Sequence, residues 1–567
     1  MRLYSHKAIK KGLFSYALIL QTTPIVFQLY KASPWQTLLY LGLPSAMPYF
    51  LGDLTISRGL AFIGTVIAEE RGCYCWCGSW RQYPNLLKTR IFRYNDTLLY
   101  YFAQNPQISY PLIFATMTTT PVKSFDLDAL TTSLEGIEII TEPTQVAKLS
   151  QDYHTFSPVL VPKLEGKVGD LVVRPANQQE VLKVAAACVK HRVAVTVRGA
   201  GTGNYGQCVP LHGGVIIDMT RMQEIRWVKP GVARVEAGVK LAALDKKARE
   251  IGWEMRMAPS TYRTATIAGF VAGGSGGIGS IQYGLLGDRG NLQALQVVTM
   301  EDEPRVIELR GDDVQKVNHA WGINGIITEV EIPLGPAYPW AEVIVTFPEF
   351  MAAASFGQAL ANADGMIKKE ISIFASPIPQ YFAPLREYIP DGTHAALLML
   401  AEPSLEFLPG LVQEYGGKIT YQKPAIDAAK GTHLGEFTWN HTTLHARTVD
   451  TSITYLQSIF PADKSLQLVE QLYHHFGDEV MMHLEFIRVN GAIAPGALQL
   501  VRYTTEERLN EIIHYHEERG VFIANPHTYI IEDGGRKVID PEQLKFKEMV
   551  DPYGLMNPGK SKVLEFK

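Results

Sequence analysis

The chain has 567 residues, a length that predicts two or three domains rather than one core. Its 46% hydrophobic and 19% charged residues are typical of a packed globular protein and argue against intrinsic disorder. The formal net charge of −4, without any block of like charge, gives no indication of a nucleic-acid partner.

Residues 1–116 differ in composition from the rest of the chain. Two uncharged stretches, residues 12–30 and 32–52, are each long enough to cross a bilayer, which needs about 20 residues. A membrane anchor or signal sequence is one interpretation, which internal prolines and polar residues weaken. The second is an extension outside the functional module, an over-extended reading frame, because a soluble-type start follows at Met117. We expect the chain from Met117 to fold alone.

The five cysteines are too few, and odd in number, for a disulfide framework. Cys73, Cys75 and Cys77 form a C-x-C-x-C run, while Cys188 and Cys208 stand apart. The run lacks a fourth ligand at a usual spacing, so incidental thiols are preferred to a soft-metal site. A reducing location, the cytoplasm, is predicted, and membrane contact is expected only if the N-terminal stretch is a true anchor.

A glycine-rich loop raises the question of which phosphate it could bind. Residues 201–206 spell G-x-G-x-x-G, the fingerprint of dinucleotide-binding Rossmann loops. A Rossmann loop lies between a strand and a helix, whereas here a helix pattern (180–191) and a strand (193–197) precede the glycines. Pro210 prevents a following helix, and the apolar strand 215–219 comes next. The sequence therefore predicts helix, strand, glycine loop and strand, and excludes a nicotinamide-binding Rossmann loop.

Two interpretations of this loop remain, a tight structural turn and a pyrophosphate cradle. Glycines let backbone N–H groups converge on an anion without a Cβ in the way. A second segment, residues 258–300, carries another glycine run from Gly273 to Gly279 and also leads into a strand. Two such loops about 70 residues apart favour the cradle.

Four segments in this order resemble a known family. They are RPANQQEVLKVAAACVKHRVAVTVRGAGTGNYGQ (174–207), APSTYRTATIAGFVAGGSGGIGSIQYGLLGD (258–288), WGINGIITEVEIPL (321–334) and DPYGLMNPGK (551–560). They are similar to the FAD-binding domain of the vanillyl-alcohol oxidase / p-cresol methylhydroxylase (PCMH-type) superfamily, including the glycolate oxidase FAD subunit and D-lactate dehydrogenase-like flavoproteins. The resemblance covers Arg174 to Pro333 and the C-terminal tail.

The resemblance implies an α+β fold with a two-subdomain PCMH-type FAD-binding domain. Repeated strand–helix–strand patterns after residue 340 suit a ferredoxin-like substrate domain, or cap, over the flavin. The predicted domains are the extension 1–116, the FAD-binding domain 117–335, the cap 336–540 and a tail 541–567 that returns to the FAD-binding domain.

The resemblance also implies which residues contact FAD: the first loop at the pyrophosphate, the second segment along the ribityl chain and isoalloxazine. Either Ile326 or Ile327 would pack beside the cofactor, although both also suit a core strand. The implied cofactor-binding residues are Arg198, Gly199, Ala200, Gly201, Thr202, Gly203, Asn204, Tyr205, Gly206, Gln207, Pro259, Ser260, Thr261, Thr264, Thr266, Gly273, Gly274, Gly276, Gly277, Gly279, Ser280, Ile326, Ile327, Asn557 and Lys560. The first loop has no histidine and the second segment no cysteine, so non-covalent FAD is predicted, with attachment from the cap as the alternative.

Candidate catalytic residues come from polar cap segments, since a flavin needs a partner that takes the substrate's O–H proton. They are His441, His445, Arg447, Glu485, Arg488 and His527. An arginine would pair bidentately with a carboxylate substrate, while a surface arginine or a salt bridge is the plainer interpretation. The Gly-Glu-His-Gly motif through which 2-hydroxy-acid dehydrogenases of this superfamily bind a metal is absent, so no required metal is predicted.

The predicted function is an FAD-dependent oxidoreductase, a dehydrogenase or oxidase acting on CH–OH donors. The first candidate donor is a small alcohol or a glycolate- or D-lactate-like 2-hydroxy acid. Alternatives are an oxidase of an aryl alcohol, sugar or lactone, and a non-catalytic flavin-binding electron-transfer protein. The expected partners are a small-molecule substrate and an electron acceptor, which is oxygen, a quinone or a carrier protein.

Overall fold

The structure is a computed structural model that describes residues 125–534 and 541–562. The predicted N-terminal extension, its apolar stretches and the C-x-C-x-C run lie outside these residues. The chain divides into two compact units, Met1–Thr118 and Thr119–Lys567, and the described residues belong to the second. Within them, no helix is both long and apolar enough to cross a membrane.

A small four-stranded sheet carries the first glycine loop. Its strands in spatial order are β1 (Glu138–Ile140), β2 (Leu171–Arg174), β4 (Val215–Asp218) and β3 (Val195–Arg198). The strands β2, β4 and β3 are parallel, and β1 is antiparallel to β2. The crossover from β2 to β3 is helix α4 (Gln178–His191), whose first turn is capped by the Asn177 side chain. The predicted order of helix, strand, glycine loop and strand is confirmed.

A second, antiparallel sheet carries the other glycine segment. Its strands are β5 (Ile225–Lys229), β6 (Val232–Glu236), β10 (Ile326–Pro336), β8 (Ala294–Val298) and β9 (Val306–Arg310) in spatial order, with β7 (Trp253–Met255) paired to β10. The helices of this half are α1 (Leu127–Ser133), α2 (Pro143–Leu149), α3 (Leu160–Leu164), α5 (Leu241–Arg249), α6 (Ile267–Gly273) and α7 (Ser280–Tyr283). One hydrophobic core joins the two sheets.

The C-terminal tail packs into this half, as the sequence resemblance implied. Helix α14 (Pro541–Val550) leads into a segment in which Leu555 O accepts a hydrogen bond from Val195 N at 2.8 Å. The buried Lys547 pairs with the buried Asp551, whose carboxylate also accepts hydrogen bonds from the N–H groups of Leu555 and Met556. Because a buried charge is tolerated only when paired, this ion pair fixes the turn that returns the tail to β3.

The cap is built on an eight-stranded antiparallel sheet in the order β14-β11-β13-β12-β18-β19-β16-β21, beside a three-stranded sheet β15-β20-β17. These strands are β11 (Trp340–Phe347), β12 (Lys368–Phe374), β13 (His394–Ala401), β14 (Lys418–Lys423), β15 (Ile453–Tyr455), β16 (Ser458–Ile459), β17 (Val480–Met481), β18 (His483–Val489), β19 (Ala492–Ala497), β20 (Leu500–Arg502) and β21 (Phe522–Ile523). The helices are α8 (Phe350–Asn362), α9 (Leu408–Glu414), α10 (Ala425–Ala428), α11 (Asn440–Val449), α12 (Ser465–Phe476) and α13 (Glu506–Glu517).

The two faces of the large cap sheet have different partners. Helices α8, α9, α12 and α13 cover one face with apolar side chains such as Phe356 and Leu472. Helix α11 lies over the other face, where Ala446 packs with Phe374 and Phe437. Strand β18 alternates accordingly, so that Leu484 and Phe486 point into the first core while His483 and Glu485 point the other way. The predicted α+β class is confirmed.

His527 joins segments that are far apart in the sequence. Its Nε2 donates a hydrogen bond to Tyr455 O at 2.9 Å, and its Nδ1 therefore accepts one from the Ser157 hydroxyl at 2.8 Å. The side chain is buried, and burial lowers the pKa of His527 to about 4. A neutral imidazole that makes two hydrogen bonds thus connects the residues before β2 to the cap.

This burial predicts an acid-sensitive stability term. An unfolded histidine takes up a proton near pH 6.5, whereas folded His527 does so only near pH 4, so stability falls as the pH drops through that interval. The variant His527→Gln lacks this titrating group, so on acidification the wild type should lose more stability than the variant. We expect the difference between their unfolding free energies to fall by up to about 3 kcal/mol from pH 7 to pH 4. Urea unfolding at both pH values measures it.

His514→Gln is the matched control, because it makes the same change at an exposed position of α13. An undiminished difference between wild type and His527→Gln at the lower pH would contradict the neutral, buried histidine.

Candidate functional site

A cavity of about 880 Å³ lies between both glycine segments and the α11 face of the cap sheet. The residues that line it come from the loop after β3, from residues 259–276, from the turn before β10 and from the cap. Ligands usually bind in large clefts of this kind, into which a small number of polar groups point.

The first glycine loop forms one wall of this cavity. All of residues 198–205, and Gln207, line it. Gly201 and Gly206 have φ of 69° and 70°, a region that favours glycine and allows the loop to turn tightly. Among the described residues, none accepts a hydrogen bond from the N–H groups of residues 199–207. A row of unpaired donors beside a cavity fits an anionic ligand, and the FAD pyrophosphate is such a ligand.

The carbonyl groups of the same loop are held from behind. The Arg198 guanidinium donates to backbone carbonyls on both sides of the loop, including Gln151 O and Ala200 O at 3.2 Å each. Asn557 Nδ2 donates to Gln207 O at 2.8 Å, and Lys560 Nζ donates to Gly206 O at 2.6 Å. Asn557, Lys560 and Gly206 do not line the cavity, so they position the loop from outside. Burial lowers the pKa of Lys560 to about 7.

The second segment forms the opposite wall. Thr266 caps helix α6 by accepting a hydrogen bond from Gly269 N, and a Cβ on Gly199 would overlap its hydroxyl, so the two glycine segments touch there. The predicted residues of this segment that line the cavity are Pro259, Ser260, Thr261, Thr264, Thr266, Gly273, Gly274 and Gly276. Gly277, Gly279 and Ser280 do not line it, because they bond locally and to the cap at Lys369 O.

The two isoleucines of β10 have separate roles. Ile327 lines the cavity, whereas Ile326 is fully buried in the core that joins the sheets. Alternation along the strand explains the difference, since neighbouring residues point to opposite faces.

The cysteine of the first loop, Cys208, also lines the cavity, and burial raises the pKa of its thiol to about 12. Cys208 therefore stays protonated at neutral pH.

A histidine backed by a carboxylate faces the cavity from the cap. His441, in the first turn of α11, has Nδ1 at 3.4 Å from Glu436 Oε2. Glu436 Oε1 also forms an ion pair with Arg263, at 2.9 Å from its Nε, and the hydrogen bond with His441 lowers the pKa of Glu436. All three side chains line the cavity. The carboxylate orients the imidazole and leaves its Nε2 free of that contact.

A second acidic group lies deeper in the same wall. Glu485 is buried, and its Oε1 accepts a hydrogen bond from Trp439 N at 2.8 Å and contacts His483 Nε2 at 2.7 Å. Its Oε2 accepts a hydrogen bond from Ser372 at 2.6 Å. Burial first, and then the charge of Glu485, raises the pKa of the neighbouring Glu370 well above its usual range. The two buried carboxyl groups are thus close enough that a negative charge on both at once is disfavoured.

Four of the predicted catalytic residues are not brought to the cavity. His445 stacks on Phe437, and Arg447 donates to the backbone carbonyls of Thr451 and Ile453. Arg488 pairs with Asp364 at 3.2 Å, on the strand face opposite Glu485, and His527 is the buried junction described above. Both arginines therefore fit the plainer interpretation, a surface or structural arginine.

Several aromatic residues line the cavity without having been predicted. They are Tyr153, Phe156, Phe270, Trp321, Trp439 and Phe522. Trp439 lies two positions before His441, so the cluster of Trp, Asn and His in that segment was a usable signal. Phe270 and Trp321 lie in two of the segments that carry the family resemblance, and the other three come from segments with no motif. Among the described residues, no group of three or more His, Cys, Asp or Glu side chains is arranged to hold a metal ion.

Comparison with known proteins agrees with this geometry. Residues 169–307 match the family described as "FAD binding domain". The glycolate oxidase subunit GlcD of Escherichia coli (strain K12) is 31% identical over 205 residues, 35% of this chain and 41% of the relative. The mitochondrial D-2-hydroxyglutarate dehydrogenase of Bos taurus is 27% identical over 262 residues, 45% of this chain and 46% of the relative. The chain thus spans less than half the length of these relatives.

A D-lactate dehydrogenase of Archaeoglobus fulgidus is 30% identical over 146 residues, 26% of this chain and 32% of the relative. Among solved structures, an alkyldihydroxyacetonephosphate synthase superposes with a TM-score of 0.59 at 16% identity, covering 77% of this chain and 85% of that one, which shows a common fold. The implied PCMH-type fold and FAD as cofactor are confirmed. Residues 169–307 thus form an FAD-binding domain that resembles those of the vanillyl-alcohol oxidase / p-cresol methylhydroxylase superfamily.

Proposed function

We propose that the protein is an FAD-dependent oxidoreductase that oxidises a CH–OH donor, as a dehydrogenase or an oxidase. The observation that carries the proposal is that the His441–Glu436 pair faces the same cavity as the two glycine segments. Flavin cradle and proton acceptor therefore share one water-restricted space.

The first loop would hold the pyrophosphate through the unpaired N–H groups of residues 199–207. The wall formed by residues 259–276 would lie along the ribityl chain and isoalloxazine. In this arrangement Arg198, Asn557 and Lys560 act indirectly, by holding loop carbonyls so that the N–H groups point to the ligand. FAD, when bound, accepts a hydride from the hydroxyl-bearing carbon of the donor.

His441 would take the hydroxyl proton of the donor, because a neutral imidazole with Nδ1–H directed to Glu436 offers Nε2 as the acceptor. The negative charge of Glu436 stabilises the imidazolium that results. The donor thus loses its hydroxyl proton to His441 and a hydride from carbon to the cofactor, and leaves as a carbonyl compound.

The donor and the acceptor are open in this proposal. The relatives' names support a 2-hydroxy acid, and the sequence alternative is an uncharged aryl alcohol, sugar or lactone. The candidate acceptors are oxygen, a quinone and a carrier protein. Comparing turnover with oxygen and turnover with an artificial acceptor would distinguish an oxidase from a dehydrogenase. A flavin-binding electron-transfer protein is the competing function, and it would show a normal flavin spectrum that no donor bleaches.

We expect the FAD to be non-covalent. The described histidines that line the cavity are His319 and His441, neither lies in the pyrophosphate loop, and the Cys208 thiol is protonated. Acid precipitation of the purified yellow protein should leave the flavin absorbance in the supernatant. A yellow pellet would contradict this expectation and direct the search for a linkage to cap residues.

The contact between the glycine segments predicts that Gly199→Ala weakens FAD binding. The added Cβ overlaps the Thr266 hydroxyl, so the pyrophosphate loop must move away from the second wall. We expect the dissociation constant of FAD, measured by titrating the apoprotein, to rise at least about tenfold, as a displacement costing 1.4 kcal/mol produces.

Gly365→Ala is the matched control, because a Cβ there meets no atom within 4 Å. Equal FAD affinity of the two variants, with circular dichroism unchanged, would contradict the assigned cradle.

The proton-acceptor role predicts that His441→Gln slows reduction of the bound flavin by a factor between about 10² and 10⁴, the usual contribution of a general base. Anaerobic stopped-flow mixing with a donor that reduces the wild type measures the rate, and the flavin content should be unchanged. His445→Gln, one turn further along α11 and outside the cavity, should lose much less. A larger effect at His445 than at His441 would refute the assignment.

A further inference from the structure

The arginine nearest the proposed substrate end of the cavity, Arg263, already faces a carboxylate. Among the described residues that line the cavity, Arg198 and Arg263 are the two permanently charged cations. Arg198 is bound to backbone carbonyls, and Arg263 forms an ion pair with Glu436, with 2.9 Å between Nε and Oε1. The carboxyl group of Glu485 lies buried in the same wall. A donor carboxylate placed here would be desolvated beside two carboxyl groups and would compete with Glu436 for Arg263, which is unfavourable.

Two neutral polar groups beside these carboxylates lack partners. The Trp439 indole Nε1–H and the Asn440 side-chain Oδ1 are both buried and have no hydrogen-bond partner. Both residues line the cavity, immediately before His441 in the sequence. Buried polar groups without a partner are rare in folded proteins, and beside a cavity they indicate a ligand that completes the bonding. One is a donor and the other an acceptor, the pattern that a hydroxyl group matches.

The backbone of Trp439 is strained, which also indicates a ligand site at this position. Trp439 has φ of 51° and ψ of −138°, a conformation that a tryptophan rarely adopts. The hydrogen bond from Trp439 N to the buried Glu485 holds it there. Strain of this kind persists where the surroundings over-determine it, which is typical of ligand sites. The walls around it are apolar, including Leu444, Ile487 and Val489.

We propose that Trp439 and Asn440 determine donor specificity by binding an uncharged hydroxyl group, and that the donor of this enzyme is a neutral alcohol without a carboxylate next to the reacting carbon. This inference rests on the proposed oxidoreductase function. It selects between the two donor classes, against the glycolate- and D-lactate-like acids.

Matched pairs of ligands test the proposal on the full-length holoenzyme. D-lactate and (R)-1,2-propanediol differ only in carboxylate against CH₂OH, and so do mandelate and 1-phenyl-1,2-ethanediol. Binding is read from the perturbation of the flavin absorbance in the presence of each ligand, and turnover from anaerobic bleaching of the flavin. We expect each diol to bind at least tenfold more tightly than its acid, with the phenyl diol the tighter of the two. This comparison needs no variant to fold.

Variants then test the two assigned residues. Trp439→Phe removes the indole donor and keeps an aromatic ring, while Asn440→Leu removes the acceptor at similar size. Each should weaken diol binding about tenfold, with FAD content unchanged. Trp227→Phe makes the same chemical change on β5, away from the cavity, and should leave diol binding as in the wild type.

Three outcomes would overturn the inference. The first is tighter binding of an acid than of its diol, most clearly if Arg263→Gln abolishes it. The second is failure of both diols to bind. The third is unchanged diol affinity in Trp439→Phe and Asn440→Leu, or a loss of FAD instead. Diols that bind as expected and yet never bleach the flavin would keep the assigned ligand class and refute the proposed oxidoreductase function, so the two failures are distinguishable.

Discussion

The structure depends on one constraint, that the glycine loop after β3 must keep its N–H groups unpaired and facing a cavity. An unpaired backbone donor is costly in a protein interior, so a row of them persists only if the loop cannot relax. Asn557 and Lys560 from outside the cavity, and Arg198 from within the loop, prevent relaxation by donating hydrogen bonds to the loop carbonyls. The tail is therefore needed by a loop that lies 350 residues away from Asn557 in the sequence.

The same constraint explains why the tail carries buried charges. Lys560 is fully buried, and its amine contributes a donor to Gly206 O that a shorter or apolar side chain could not supply. Lys547 and Asp551 form a buried pair that turns the chain toward β3. Replacing such groups by apolar ones can stabilise a fold, so their presence is better explained by the geometry they impose than by stability.

The sequence predicted the flavin half well because its signals are local. Glycine spacing, helix periodicity and a cap residue lie within a few tens of residues, and they are what the loops are built from. In the cap, the site is assembled from β12, the segment before α11 and β18, which register and long-range pairing bring together. One feature of the cap does follow from the sequence alone. Because side chains alternate along a strand, Glu485 and Arg488, three positions apart, must lie on opposite faces of the sheet.

The distribution of charge along the cavity agrees with the proposed mode of cofactor binding. A dianionic pyrophosphate bound by neutral N–H groups would need no free lysine or arginine, and the two arginines of the described lining are engaged, Arg198 by backbone carbonyls and Arg263 by Glu436. At the other end of the cavity, Glu436 is paired with Arg263 and the carboxyl group of Glu485 is buried, so an anionic donor would compete with Glu436 for its partner. The Trp439 Nε1–H and the Asn440 Oδ1, which are neutral, remain there without a partner. The proposed preference for an uncharged alcohol therefore complements a cofactor site in which backbone N–H groups would bind the pyrophosphate.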